Sequence, residues 1–368
     1  MGKITEIFRC FGPEYLEKYP NIPQQHQKVI YAIIHCRSGE YGTTFYQCEC
    51  CGKRHIVDRS CGNRHCPQCQ YHKTRGWLET QLKRALPVQH SMLTFTMPEK
   101  IRPFCRANQK AVYGAMFKAS SASFKALVKD PRFVGTDLPG FTGVLHTWGR
   151  QLPYHPHIHY IIPAGGLSSD RKKWITARNS FYLPVRALSK LYKAKFKAKM
   201  VKLGLMDRID PSVWAVDWIV NCQAVGSSEA SLKYLAPYVF RVAISDNRIL
   251  TVKNRTVTFC YRKTGSRRLR KTSLEVLTFI SRFLQHVLPA GFMKVRHYGF
   301  MNANCAITFQ KIRQMVIICL RDLSLILSDN VSQPPSSIHQ EPFCSSCGGR
   351  LIYLFSIIPG RPCRGGPS

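Results

Sequence analysis

The chain has 368 residues, enough for about two domains and for a core that needs no disulfides, so small disulfide-stapled scaffolds are excluded. Lys and Arg number 54 against 20 Asp and Glu, a formal net charge of +34 that exceeds what solubility requires and points to a polyanionic partner, nucleic acid first. Charged residues are only 20% of the chain and hydrophobic ones 45%, which excludes a disordered basic tail and describes a folded protein with a basic surface.

The first twenty residues carry Glu6, Glu14 and Glu17 and lack the basic-then-apolar layout of a secretory signal, so a cytoplasmic protein is expected. The sixteen cysteines then read as metal ligands and buried thiols rather than disulfides. Residues 22–89 are rich in Cys, His and Gly and end in a basic helix from His72 to Leu86, with Trp77, Leu78, Leu82 and Leu86 at helical spacing. From His90 the pattern changes. Leu93, Phe95 and Met97 alternate with Thr94 and Thr96 as a half-buried strand ended by Pro98, and a helix is expected over residues 108–129. Two further strands are expected at Val144 to Trp148 and His157 to Ile162, closed by Pro163, Gly165 and Gly166.

Arg186 to Val201 reads as a strongly basic helix, either a phosphate-facing surface or a plain solvated face. Ser227 and Ser228 are placed to cap a helix running through Tyr234, and Val242 to Ile244, Ile249 to Val252 and Val257 to Tyr261 read as a meander. Six of the ten residues from Arg262 to Lys271 are basic, and a helix is expected from Ser273 to Leu288. The best apolar run, Met315 to Leu327, is broken by Arg321 and Asp322, so no membrane span is expected. The fold class that follows is α+β: a central antiparallel sheet with helices, preceded by a small zinc-binding module. The expected domains are 1–89 (the Cys- and His-rich module), 90–300 (the strands and helices that follow) and 301–368 (a tail with its own CxxC).

Cys48 and Cys51 form one CxxC and Cys66 and Cys69 another, about fourteen residues on, close to the spacing of two knuckles converging on one tetrahedral zinc. Gly52 supplies the turn after the first pair. Cys50, Cys61, His55 and His65 lie in the same segment and could replace a member or serve a second ion. Four thiolates leave no open coordination position, so this zinc is structural, and Arg54, Arg59, Arg64 and Lys73 around it suit DNA contact.

The strand His155-Pro156-His157-Ile158-His159 puts His157 and His159 on one face, a metal half-site. The third ligand is expected to be His155, of the same parity, or alternatively His146 on the neighbouring strand. A divalent ion held by imidazoles with open positions polarises a phosphoryl oxygen. Tyr234 and Tyr238, four apart, are candidate nucleophiles beside such a site.

Four blocks in order carry a family resemblance: Arg64-His-Cys-Pro-Gln-Cys-Gln70; His146-Thr-Trp-Gly149 with the histidine strand; Tyr234-Leu-Ala-Pro-Tyr238 with Arg241-Val-Ala-Ile-Ser245; and His286-Val-Leu-Pro289 with Arg296-His-Tyr-Gly-Phe300. Over residues 22–300 the chain resembles the rolling-circle insertion-sequence transposases of the two-tyrosine, His-hydrophobic-His class, which carry an N-terminal zinc-binding domain. The resemblance implies a metal-dependent endonuclease and strand transferase acting on single-stranded DNA at transposon ends and target sites, in the bacterial cytoplasm at the nucleoid. It implies His157 and His159 as ligands of a catalytic Mg or Mn, Tyr234 as first nucleophile and Tyr238 as second, with a 5′-phosphotyrosine intermediate. Pro237 interrupts the helical spacing of the tyrosines and makes Tyr234 the leading candidate. Beyond Phe300 the resemblance fades, and Cys344 and Cys347, with only Cys363 near them, read as a degraded or shifted zinc knuckle. The competing readings are a histidine-triad nucleotide hydrolase, which length and charge oppose, and a non-catalytic zinc-dependent DNA-binding regulator.

Overall fold

The computed structural model describes residues 2–177, 183–227, 229, 239, 243–263, 266, 268–324 and 343–365. In chain order, the first elements are α1 (Lys3–Lys18), α2 (Gln24–Ile34), β1 (Thr43–Cys48), β2 (Arg54–Asp58) and α3 (Pro67–Lys83). There follow β3 (His90–Thr96), α4 (Arg102–Ala107), α5 (Gln109–Val128), β4 (Phe141–Trp148), β5 (Tyr154–Pro163), β6 (Gly165–Leu167), β7 (Trp174–Thr176), α6 (Val185–Lys202) and β8 (Val220–Gly226). The last are β9 (Ile249–Lys253), β10 (Thr256–Arg262), β11 (Leu269–Glu275), α7 (Val276–Leu284), β12 (Val295–Tyr298), α8 (Phe309–Ser324), β13 (Leu351–Ile358) and β14 (Arg361–Gly365). The class is α+β with antiparallel sheets.

The chain forms two compact units, one from Met1–Lys73, Phe240–Val287 and Pro334–Ser368, the other from Thr74–Val239 and Leu288–Gln333. In the first, a four-stranded sheet runs β14-β13-β1-β2 and a separate meander runs β11-β10-β9. α1 starts where Asp246 Oδ1 accepts the Ile4 N–H at 2.8 Å, and its apolar face meets α7 through the edge-to-face pair Phe8–Phe283. α7 is shorter than the expected 273–288 helix because Glu275 caps it, accepting the Thr278 N–H at 2.9 Å, while Ser273 and Leu274 pair with Thr258 and Val257 as part of β11. The meander therefore takes 269–275 as its third strand; Ala243 and Ile244 lie outside its strands, and Val242 lies outside the described residues.

The second unit is built on a five-stranded antiparallel sheet of order β12-β4-β5-β3-β8. α5 and α6 cover one face. Strand alternation sends Phe95, Phe141, Leu145, Ile158 and Tyr160 into that side, where they bury against Tyr113, Phe117 and Phe124 of α5 and Tyr192 and Phe196 of α6. Two buried phenols are satisfied inside the core: Tyr160 Oη pairs with Ser120 Oγ at 2.7 Å and Tyr113 Oη with Tyr154 Oη at 2.6 Å. β3 is buried on both faces along most of its length, more fully than a half-buried strand requires. Packing one face of β5 this tightly fixes its register, and register decides what stands on the other face.

α8 contributes Ile312, Met315 and Val316 to a smaller cluster with Leu86, Trp174 and Phe300, so the start of the apolar C-terminal run is core material, while Ile318 is exposed. Among the described residues no helix is long and apolar enough to cross a membrane.

Candidate metal centres

Along β5 burial alternates from Tyr154 to Tyr160, with Ile158 and Tyr160 in the core and His155, His157 and His159 on the opposite face. β4 runs antiparallel beside it and places His146 directly across from His157, and β3 places Thr94 across from His159. His146, His157 and His159 thereby form one group whose ligand nitrogens lie within 4.8 Å of one another. The ring centroids are 5.2 Å apart for His146 and His157, 4.6 Å for His146 and His159, and 4.7 Å for His157 and His159. His155 is not part of this group. Its ring stands 5.1 Å from that of His157, and its carbonyl serves the site instead.

Hydrogen bonds orient the rings. His157 Nδ1 lies 2.7 Å from the His155 carbonyl oxygen, which can only accept, so Nδ1 carries the proton and Nε2 keeps its lone pair for a metal. His159 Nδ1 lies 2.8 Å from Thr94 Oγ1, which leaves Nε2 as the ligand atom there too. Burial, with the neighbouring His155 second, lowers the His157 imidazole to about 4, and burial followed by His157 holds His159 well below its ordinary value. Both rings are neutral at neutral pH, the form that coordinates metal. Three nitrogens on one side of a point leave the remaining positions open, which fits a divalent ion that also takes oxygen from water or phosphate.

An aromatic surface adjoins the site. Trp148, half-buried at the end of β4, stacks on His146 at 4.9 Å, and Lys294 Nζ stands 4.9 Å from the indole centroid. On α6, Lys193 Nζ donates to the Trp214 and Val216 carbonyls at 3.1 Å each and Lys197 sits over the Trp214 ring, so part of that basic helix is tied to its own unit. Lys190 is exposed. Tyr234 and Tyr238 lie outside the described residues.

Among the described residues the cysteines form two groups of four rather than one. Cys66 and Cys69 are joined by Cys36 and Cys61, while Cys48 and Cys51 are joined by Cys344 and Cys347. The expected set of Cys48, Cys51, Cys66 and Cys69 is not brought together: β1 carries the first pair toward β13, and the second pair opens α3. In the Cys36 group, Cys36 and Cys61 sulfurs stand 3.7 and 3.5 Å from Cys69 Sγ. Cys69 sits in the first turn of α3, where the helix N-terminus favours a thiolate, and thiol contacts from Cys61 and Cys66 hold it well below the ordinary thiol value. In the other group the Ser346 N–H, 3.4 Å from Cys344 Sγ, is the leading cause of a thiol lowered to about 5. All-sulfur sets of four suit Zn²⁺ in a closed, structural role.

Sequence reasoning singled out Cys61 as a possible replacement and read Cys344 with Cys347 as a degraded or shifted knuckle, but missed Cys36, which follows α2 with no partner at CxxC spacing. The only signal for it was a cysteine near the end of an apolar helix.

Residues 140–307 match the family model described as "Putative transposase", and residues 7–97 match the one described as "Transposase zinc-binding domain". The chain is 33% identical over 395 residues to "Putative transposase y4qJ" of Sinorhizobium fredii, covering 98% of this chain and 97% of that one. It is 24% identical over 346 residues to "Transposase for insertion sequence element IS801" of Pseudomonas savastanoi pv. phaseolicola, covering 88% and 82% of the two chains. No solved structure matches.

Proposed function

The chain belongs to the transposase family that these matches define, and on that premise we propose that it cleaves single-stranded DNA at the ends of a rolling-circle insertion sequence and transfers the strand through a 5′-phosphotyrosine. One observation carries the reading: His146, His157 and His159 converge on one face of the central sheet with their ligand nitrogens within 4.8 Å of one another. In this reading residues 1–89 act as the zinc-binding recognition domain and residues 90–300 carry the chemistry. A bound Mg or Mn supplies charge that polarises a phosphoryl oxygen of the scissile phosphodiester.

The chain's own residues do the rest. The three imidazoles fix where that charge sits, and Thr94 and the His155 carbonyl hold two of the rings in place. Trp148, stacked on His146, and Lys294 beside it put an aromatic ring and a cation next to the histidines, the groups that single-stranded DNA engages through its bases and phosphates. Tyr234 Oη attacks the phosphorus, the bond from phosphorus to the 3′-oxygen breaks, and the DNA is left joined to the enzyme at its 5′ end while the 3′-oxygen takes up a proton. Tyr238 accepts the strand in the later transfer step. The net charge of +34 supplies the long-range attraction for the polyanion, and the protein acts where bacterial DNA lies.

The test is a chelation experiment on folded protein. A mild chelator should abolish cleavage of a single-stranded oligonucleotide from the element's ends, Mg or Mn should restore it, and His157→Ala should bind the oligonucleotide without cutting it. Activity that persists without metal, or a His157→Ala variant that cuts normally, overturns the reading.

A further inference from the structure

The first and third CxxC pairs build the same turn. In each, a glycine follows the second cysteine: Gly52 at φ +69° and Gly348 at φ +73°, in the left-handed region that favours glycine. The Gly52 N–H donates to the Cys48 carbonyl at 3.0 Å and the Cys48 N–H to the Lys53 carbonyl at 2.9 Å; the matching bonds from Gly348 to Cys344 and from Cys344 to Gly349 are 2.9 and 2.8 Å. Two knuckles nearly 300 residues apart in sequence therefore share one geometry, with Cys51 and Cys344 separated by 293 positions.

Antiparallel pairing of β1 with β13 turns them face to face, with Cys48 opposite Leu351. The Glu49 N–H donates across to the Arg350 carbonyl at 3.0 Å, and Lys53 Nζ donates to Ser346 Oγ at 2.7 Å. Cys48 and Cys347 sulfurs are 3.4 Å apart, Cys51 and Cys344 sulfurs 3.7 Å, and all four lie within 4.8 Å of one another. Four sulfurs at a Zn–S length of ~2.3 Å around a tetrahedral ion stand roughly 3.8 Å from one another. Gly349 lets the knuckles approach this closely, since a Cβ there would lie 3.0 Å from Cys48 Sγ and 2.7 Å from Cys50 Cβ.

The surroundings suit a thiolate cage. One Zn²⁺ with four thiolates carries a net double negative charge, and Lys53, Arg54 and Arg350 flank these knuckles. His55 Nε2 stands 3.2 Å from Cys344 Sγ, placed to donate to a metal-bound sulfur.

We propose that Cys48, Cys51, Cys344 and Cys347 bind a second structural Zn²⁺, separate from the one on Cys36, Cys61, Cys66 and Cys69, and that this ion fastens the C-terminal strands to the N-terminal module. On binding, the thiols among the four ligands give up their protons and the ion closes a loop that spans most of the chain. The matched zinc-binding domain ends at residue 97 and contains only half of this ligand set. The inference is independent of the DNA chemistry proposed above and stands or falls without it.

The experiment is zinc stoichiometry of the full-length protein by elemental analysis. Wild type is expected to hold two Zn per chain, Cys347→Ser one, Cys61→Ser one, and Cys50→Ser, which removes an exposed thiol outside both sets, two. One Zn in wild type, or two in Cys347→Ser, overturns the proposal. A second measurement needs no variant: peptide-resolved iodoacetamide labelling of zinc-replete wild type. Cys50, Cys51 and Cys347 are all exposed, so Cys50 should label at once while Cys51 and Cys347 wait for a chelator and then react together with Cys48 and Cys344. Immediate labelling of Cys347 in zinc-replete protein overturns the assignment.

Discussion

His146 stands directly opposite His157 across the β4–β5 pair, the two rings 5.2 Å apart and nearly perpendicular. This cross-strand relationship, rather than the alternation of β5 alone, supplies the third imidazole. His146→Ala should therefore impair cleavage as deeply as His157→Ala or His159→Ala, by about 100-fold or more given that even outer-shell partners of metal ligands are worth about 10–100-fold. His155→Ala should cost far less, because its contribution to His157 is a backbone carbonyl that alanine keeps. Cleavage rates against Mn concentration, with circular dichroism to check folding, separate the two positions.

Thr94 acts one step further from the ion. Thr94→Val removes the hydroxyl bonded to His159 Nδ1 and should weaken metal affinity by about 10–100-fold. Thr94→Ser should restore it, and affinity for DNA should change little in either variant. A Mn titration followed by electron paramagnetic resonance reads the affinity directly.

The packing under the site predicts a stability effect. A Cβ on Gly143 would lie 2.4 Å from the Tyr160 ring, on the face where β5 is locked to α5. Gly143→Ala should destabilise the protein by about 1–3 kcal/mol, the usual range for overpacking, as read from urea denaturation. Its zinc content should stay that of wild type.

The basic helix α6 should split by residue. Lys193 is bound to two carbonyls, so Lys193→Ala should lower thermal stability. Lys190 is exposed; if it meets a phosphate, Lys190→Ala should reduce the slope of log affinity for single-stranded DNA against log salt by about 0.7 and leave stability unchanged. Binding isotherms at several salt concentrations, beside melting curves, check both.

The α+β class, the histidine strand and the basic helix were legible because each rests on local periodicity or composition. β5 declared itself through His157 and His159 alternating with Ile158 and Tyr160. What periodicity could not rank was His155 against His146, since that depends on which strand pairs with β5 and in what register. The cysteines show the same limit. Two CxxC pairs at near-ideal spacing suggested one site, yet β1 pairs with β13, and a partner nearly 300 residues away outcompetes one fifteen residues away. The helix expected from Ser273 was cut short for a local reason, the carboxylate of Glu275 capping at Thr278, which apolar spacing alone does not reveal. Tyr234 and Tyr238 rest on sequence order.

The most direct test of the central claim is a denaturing gel of wild type, Tyr234→Phe and Tyr238→Phe incubated with Mg and single-stranded DNA labelled on the 3′ side of the cleavage site, followed by mass spectrometry of any linked peptide. A phenylalanine keeps the ring and deletes the attacking oxygen. The account predicts a metal-dependent covalent adduct on Tyr234, absent in Tyr234→Phe and retained in Tyr238→Phe, which should fail only in strand transfer. A full adduct in both single variants, or no adduct with wild type that still cuts the strand, would contradict it.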